Sequence, residues 1–258
     1  MAEEIVVTQS GGIATVTLNR PEKRNALTPS MVDDLCSSFE KISQDASVRV
    51  VILRAEGPAF CAGLDLGEMA RQRREGEADL GELEHALDRV EGCPHPTIAA
   101  VRGNAVAGGC ELALHCDIRV AADDARFSLP VARFGLAVPV LLTWKLVDTI
   151  GPAKTCELIF TGEGVAAATA EDLGMANRVV PADELDSSVL ALAQQIDRNA
   201  PLAVRAMKAF VRRAMSIRRD ALPREDLEEM HRQVRASSDL QEGLAAREEK
   251  RTPNFRGQ

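Results

Sequence analysis

The chain contains no tyrosine, a single tryptophan and seven phenylalanines among its 258 residues. Without tyrosine, no step can use a phenolic acid or a tyrosine clamp. No stretch approaches the ~18 consecutive apolar residues of a membrane-crossing helix, so no membrane partner is expected. The cysteines, Cys36, Cys61, Cys93, Cys110, Cys116 and Cys156, include no Cys-x-x-Cys pair. A chain of this length can bury a core without staples, and they read as free, mostly buried thiols. His85, His95, His115 and His231 lack the spacing of metal ligands, and no metal site is expected. Positive charge is in deficit, 31 Lys and Arg against 39 Asp and Glu for a net −8, which argues against nucleic acid as a partner. The acidic start, Met1 to Ile5, does not fit a signal or transit peptide, and the cytoplasm is the expected compartment.

What is present is an ordinary globular balance, 45% hydrophobic and 27% charged. Ile5 to Gln9 and Ala14 to Leu18, around Gly11-Gly12, read as a hairpin. Thr28 is placed to cap a helix with Pro29 at its first position. Met31, Leu35, Phe39 and Ile42 then recur at helical spacing. Strands are predicted at 48–54, 97–102, 118–121 and 175–180, with a short extended piece at 126–128. Helices are predicted through His115, over 140–150, from Gly151-Pro152 to Phe160, and from Ala168. The charged segment 67–92 reads as two helices around a loose loop, with most charges in water. Strands alternating with helices imply an α/β fold over 1–195. Residues 196–258 are expected to form a helical oligomerisation region. In it a long helix from Pro201 carries Leu202, Ala206, Ala209 and Phe210 on one face. Arg205, Lys208, Arg212, Arg213, Arg218 and Arg219 read as the wet face of that helix.

Two glycine-bearing loops carry the chemical signal. Phe60-Cys61-Ala62-Gly63-Leu64-Asp65-Leu66 follows an apolar strand, and Gly103-Asn104-Ala105-Val106-Ala107-Gly108-Gly109-Cys110-Glu111-Leu112 follows another and opens a helix. Small residues let a backbone approach a ligand and leave N–H groups unshielded. Two such groups converging on one oxygen make an oxyanion hole, suited to a thioester carbonyl whose oxygen gains charge.

These loops resemble the crotonase superfamily, the enoyl-CoA hydratase/isomerase family, along nearly the whole chain. Asn19 to Leu27 is similar to the family's N-terminal CoA-contacting segment. Cys116-Asp117-Ile118-Arg119-Val120-Ala121 is similar to the strand after the second loop, and Lys250 to Phe255 to the C-terminal tail. The resemblance implies a spiral of β-β-α units with a C-terminal helical region, assembled as a homotrimer or homohexamer. It implies an acyl-CoA thioester as ligand and no cofactor beyond the coenzyme A of that substrate. It places the oxyanion N–H groups on Leu64 and Gly108. It places CoA against Lys23, Arg24, Ala26 and the run Ala62, Gly63, Leu64, Asp65 and Leu66, with Lys250 reaching the CoA phosphates as a mobile point charge.

Glu111 falls in the first turn of its helix among apolar neighbours. Burial would raise its pKa and the helix N-terminus would lower it, and the letters alone leave the sign open. Family hydratases put a catalytic glutamate at this position, and a capping role is the structural alternative. The family's second carboxylate corresponds here to Val131, which transfers no proton. The resemblance therefore implies a hydratase/isomerase-type enzyme with Glu111 as sole acid/base. Isomerisation, decarboxylation, thioester hydrolysis and a weakly catalytic acyl-CoA-binding role remain open beside it.

Overall fold

The computed structural model describes residues 3–75, 81–220 and 225–257. Contacts divide them into two compact units, one of residues up to Phe127 with Val165–Arg212, the other of Ser128–Gly164 with Arg213 onward.

The first unit is built on a six-stranded sheet. Its strands are β1 (Ile5–Ser10), β2 (Ile13–Leu18), β3 (Val50–Ala55), β4 (Thr97–Val101), β6 (Ile118–Ala122) and β9 (Arg178–Val180), adjacent in that order. The β1–β2 hairpin is antiparallel and every later pairing is parallel. A second sheet joins β5 (Asn104–Val106), β7 (Arg126–Ser128) and β8 (Val165–Ala166). The chain thus winds repeatedly from the large sheet to the small one, and β4–β5 followed by α4 (Gly108–His115) is one such turn. This is an α/β fold of the kind the sequence implies.

The apolar runs become central strands because both sheet faces are covered. Ile52, Ile98 and Val120 pack with Leu185, Val189 and Leu192 of α7 (Leu185–Asp197), while the alternate residues Val51, Leu53, Ala99 and Ala121 are buried on the other face. In α1 (Pro29–Gln44), the Thr28 hydroxyl accepts from the Met31 N–H, and the Met31, Leu35, Phe39 and Ile42 stripe is buried. The charged segment forms α2 (Leu66–Glu75) and α3 (Gly81–Gly92). There Arg71 pairs with Glu68 in solvent. The side chains of Arg73, Arg74, Glu75 and Glu82, and residues Glu77 and Asp79, lie outside the described residues. After α6 (Ala167–Asp172), the chain returns to the sheet as β9.

Helix α8 (Pro201–Asp220) departs in part from the expected orientation. Two of its basic residues, Arg205 and Lys208, are half-buried against the sheet, while Arg212 and Arg213 remain exposed. Lys208 Nζ donates to the His95 carbonyl (2.9 Å) and to Asp117 Oδ2 (2.7 Å), Arg205 donates to the Val48 carbonyl (3.1 Å) and Arg212 to that of Gly92 (3.4 Å). Val48, His95 and Asp117 precede β3, β4 and β6. Three parallel strands therefore begin at one edge, and that edge offers oxygen acceptors rather than apolar surface. The other flank of α8 stays open, with Leu202 79%, Phe210 71%, Val211 60% and Met207 56% exposed. Arg213 is exposed too, and the side chains of Arg218 and Arg219 lie outside the described residues.

In the second unit, α5 (Val140–Thr161) is broken at Gly151 (φ 76°, ψ 161°), just before Pro152, as Gly-Pro predicts. The unit also holds α9 (Glu225–Ala236) and α10 (Ser238–Glu248). Val131 is buried there in a short 3-10 turn, Pro130–Phe134. Among the described residues, no helix is long and apolar enough to cross a membrane.

Candidate functional site

The first glycine loop is clamped on two sides by backbone. Toward the N-terminal segment, Ala62 N–H donates to the Arg24 carbonyl (3.0 Å), Leu27 N–H to that of Gly63 (2.8 Å) and Asp65 N–H to that of Leu27 (2.8 Å). Leu64 thus pairs with Leu27 as an isolated parallel bridge. In such a bridge the neighbours of Leu64 make the bonds, and its own N–H points to the opposite side. Toward the second loop, Cys61 bridges Ala105 through Cys61 N–H to the Asn104 carbonyl (3.2 Å) and Val106 N–H to that of Cys61 (2.9 Å).

Glycine is required where the loops meet. Gly63 has φ +84°, and a Cβ there would stand 2.9 Å from the Val106 carbonyl oxygen and 3.2 Å from the Gly108 nitrogen. A Cβ on Gly109 would come within 2.3 Å of the Cys61 carbonyl oxygen. Between them, Ala107 adopts φ 48°, ψ −120°, a strained conformation for a residue with a side chain. That turn delivers Gly108 to the first position of α4, where an N–H has no intrahelical acceptor. A Cβ on Gly108 would lie 3.8 Å from the Leu64 nitrogen, so the two amides are neighbours. Among the described residues, neither the Leu64 nor the Gly108 N–H donates a hydrogen bond.

Buried side chains hold the arrangement. Asn25 is fully buried at φ 54°; its amide donates to the carbonyls of Glu56 and Ala59 (both 2.9 Å), and its oxygen accepts from Arg20 N–H (2.8 Å). Arg20 donates to the Ala26 carbonyl (3.0 Å) and to Asp65 Oδ2 (2.8 Å), and also pairs with Glu4 (3.2 Å). Burial alone would raise the Asp65 pKa, but bonds from Arg20, Gly67 and Glu68 outweigh it and leave the carboxyl below its ordinary range. Cys61 donates its thiol hydrogen to the Asn25 carbonyl (3.1 Å), and burial pushes its pKa up to about 12, so this thiol is a packing group.

Glu111 lies in the first turn of α4, 6% exposed. Burial pushes its pKa up to about 7, with the charge of Glu84 adding to the rise. Both causes act in the same, upward direction. One turn on, His115 Nδ1 lies 2.7 Å from the Glu111 carbonyl oxygen, which can only accept, so Nδ1 carries the hydrogen. His115 Nε2 stands 3.5 Å from Glu91 of α3.

The structure brings most of the expected site residues together. Exposed Arg24 is bonded to Ala62, and half-buried Ala26 is tied to Asp65 through Arg20. Gly63 and Leu64 lie against Gly108, three residues before Glu111, while Lys23 is exposed beside Arg24 and Leu66 opens α2. Lys250 belongs to the second unit, exposed at the end of α10 with φ 54°. Arg20, Asn25 and Ala107 were not legible in the sequence as loop supports, nor was the charge of Glu84 as an influence on Glu111. Their roles depend on contacts far along the chain, 45 residues for Arg20 with Asp65 and 34 for Asn25 with Ala59.

An α/β winding fold that aims two backbone amides beside a buried glutamate defines a class, the crotonase superfamily. The chain belongs to the enoyl-CoA hydratase/isomerase family, whose model matches residues 8–258. It is 33% identical to the 2,3-dehydroadipyl-CoA hydratase of Escherichia coli K12, over 98% of this chain and 99% of that one. It is 38% identical to an enoyl-CoA isomerase/hydratase of Mycosarcoma maydis, over 95% and 93%. Among solved structures it is similar to an enoyl-CoA hydratase/carnithine racemase of Magnetospirillum magneticum, at 38% identity and TM-score 0.79, covering 100% and 97% of the two chains. It is also similar to a methylmalonyl-CoA decarboxylase bound to 2-nitronate-propionyl-CoA, at 29% identity and TM-score 0.89, covering both chains fully.

Proposed function

We propose that the protein acts on acyl-CoA thioesters by hydratase/isomerase-type chemistry. In this reading the N–H groups of Leu64 and Gly108 receive the thioester oxygen, and Glu111 is the single acid/base. The observation that carries it is the pair of adjacent amides with no acceptor among the described residues, one of them, Gly108, set one helical turn before a buried carboxyl. Charge developing on the thioester oxygen in an enolate would be stabilised by donors already in place. Glu111, titrating near neutrality, could take a proton from one carbon or from water and return it to another. Lys23, Arg24, Ala26 and Ala62–Leu66 would contact the CoA, and Lys250 its phosphates. No cofactor beyond that CoA is called for.

Assembly as a homotrimer or homohexamer is part of the same proposal. The exposed Leu202, Met207, Phe210 and Val211 flank of α8 supports it, since a contiguous apolar face is the usual mark of an interface.

Hydration of crotonyl-CoA tests the reading. Wild type should turn it over, and Glu111→Gln should lose about 10²–10⁴ in kcat, the span typical of a positioned acid/base group. Appreciable activity that survives Glu111→Gln would sink the assignment.

A second reading is decarboxylation of a malonyl-type thioester. Val131 stands where family hydratases carry their second carboxylate, and a decarboxylase is among the similar structures. Loss of CO2 leaves an enolate that the same amides would hold, and one proton donor would finish the step. Methylmalonyl-CoA turnover exceeding crotonyl-CoA hydration would favour it. A rise in hydration on Val131→Glu would favour a weakened hydratase.

A further inference from the structure

Helices α3 and α4 lie side by side and run the same way. At their starts, a Cβ on Gly108 would meet Leu83 Cδ2 at 2.9 Å, and at their ends Glu91 stands 3.5 Å from His115. Both spans cover about two helical turns, so the register is fixed at two points. Leu83 is buried and fills the space that glycine leaves at position 108. Glu84, the next residue, is exposed and is carried on the same first turn of α3.

With Val131 in the family's second carboxylate position, the proposed reaction asks Glu111 to hold a proton and to lack one within a single cycle. A carboxyl in its ordinary range would be ionised almost always at pH 7. Some feature must keep the two states balanced, and burial is one. The register of α3 on α4 supplies another, a like charge on the adjacent helix. We propose that Glu84 is a positioning residue for the acid/base step, acting on Glu111 through its charge without touching the thioester. This inference rests on the function proposed above.

The surroundings of Glu111 limit what else could play this part. Among the described residues, α4 itself contributes His115 at its far end, where the Nδ1 hydrogen points at the Glu111 main chain. On α3, Glu91 is directed to His115. Asp65 of the first glycine loop is held by Arg20, and β5 carries no charge. Glu84 precedes Glu91 by about two helical turns and so shares the flank of α3 that meets α4, in the turn set against the one that carries Glu111.

The pair is placed so that solvent reaches one member only. A buried carboxyl coupled to an exposed one can be tuned by salt, because the Debye length is ~10 Å at 0.1 M and ~3 Å at 1 M. A desolvation effect alone carries no such dependence.

The test reads the Glu111 carboxyl directly, without substrate. Protein labelled with 13C at the glutamate carboxyls is titrated by NMR, with the Glu111 resonance assigned by its loss in Glu111→Gln. In Glu84→Gln the midpoint should fall by about half a pH unit, and Glu84→Asp should keep most of the wild-type value. Raising salt on wild-type protein should lower the midpoint in the same direction, which keeps the inference testable if Glu84→Gln does not fold. The corresponding limb of the crotonyl-CoA pH–rate profile should move with it. A midpoint unchanged by both Glu84→Gln and salt overturns the proposal, as does a midpoint that moves while the rate limb stays. Absence of turnover on any thioester would sink the functional reading, while the NMR midpoint still decides the pairing.

Discussion

Glu111 couples stability to pH as well as serving the proposed chemistry. Its folded pKa of about 7 lies above that of an unfolded glutamate, so the folded protein binds the extra proton more tightly. The stability this contributes is complete below the unfolded pKa and is lost as pH rises through 7. Glu111→Gln removes the dependence and should raise the urea midpoint at pH 8, by up to about 3 kcal/mol in stability, with little change at pH 4. Asn25 is the opposite case, a polar residue whose removal should harm the fold. Asn25→Ala leaves the Glu56 and Ala59 carbonyls without their donor and forces alanine to φ 54°. A loss of about 2–4 kcal/mol in a denaturant titration is expected.

Elements add constraints that single residues do not show. The first turn of α4 is cut to fit the first glycine loop, and Gly109→Ala would place a Cβ 2.3 Å from the Cys61 carbonyl oxygen. Backbone on that side cannot move without breaking the Cys61–Ala105 bridge, so the substitution should abolish thioester binding in calorimetry before it unfolds the chain. Helix α8 is held by charge at the start of the parallel strands. Lys208→Met would leave Asp117 Oδ2 without its cation, and a fall in thermal midpoint should follow. Such elements were legible to different degrees. The α1 cap was readable because Thr28 and Met31 lie three residues apart and the stripe repeats every turn. The docking of α8 was not, because its partners sit 91 and 157 residues away, for Lys208 with Asp117 and Arg205 with Val48. Amphipathicity predicts that one face is covered, not which one, when the receiving surface is made of carbonyl oxygens.

At the scale of the molecule, the exposed flank of α8 asks for a covering. Glutamate at both Leu202 and Phe210 should shift sedimentation from an assembled species to a 27.8 kDa monomer if this flank is the subunit contact. Unchanged sedimentation would move the interface elsewhere. The chain also groups differently in space than in order. Residues 128–164, read as part of the α/β core, pack with the helices that follow Arg212. In that unit Phe134 lies under Arg247, whose guanidinium carbon is 5.2 Å from the ring centroid, and Gly243 lets α10 close on the Phe134 backbone.

The amino-acid sequence by itself determined the alternation of strands and helices, the two glycine loops and the presence of Glu111 beside the second. Those features are local, set by side-chain periodicity, caps and the need for glycine where backbones touch. Only the tertiary structure decided the direction of the Glu111 shift, because burial and helix dipole oppose each other and their balance depends on what surrounds the carboxyl. It alone decided that α8 turns Arg205 and Lys208 toward the sheet, and that the first turns of α3 and α4 meet. Each of these is a relation between residues far apart in the chain, and a linear pattern does not contain it.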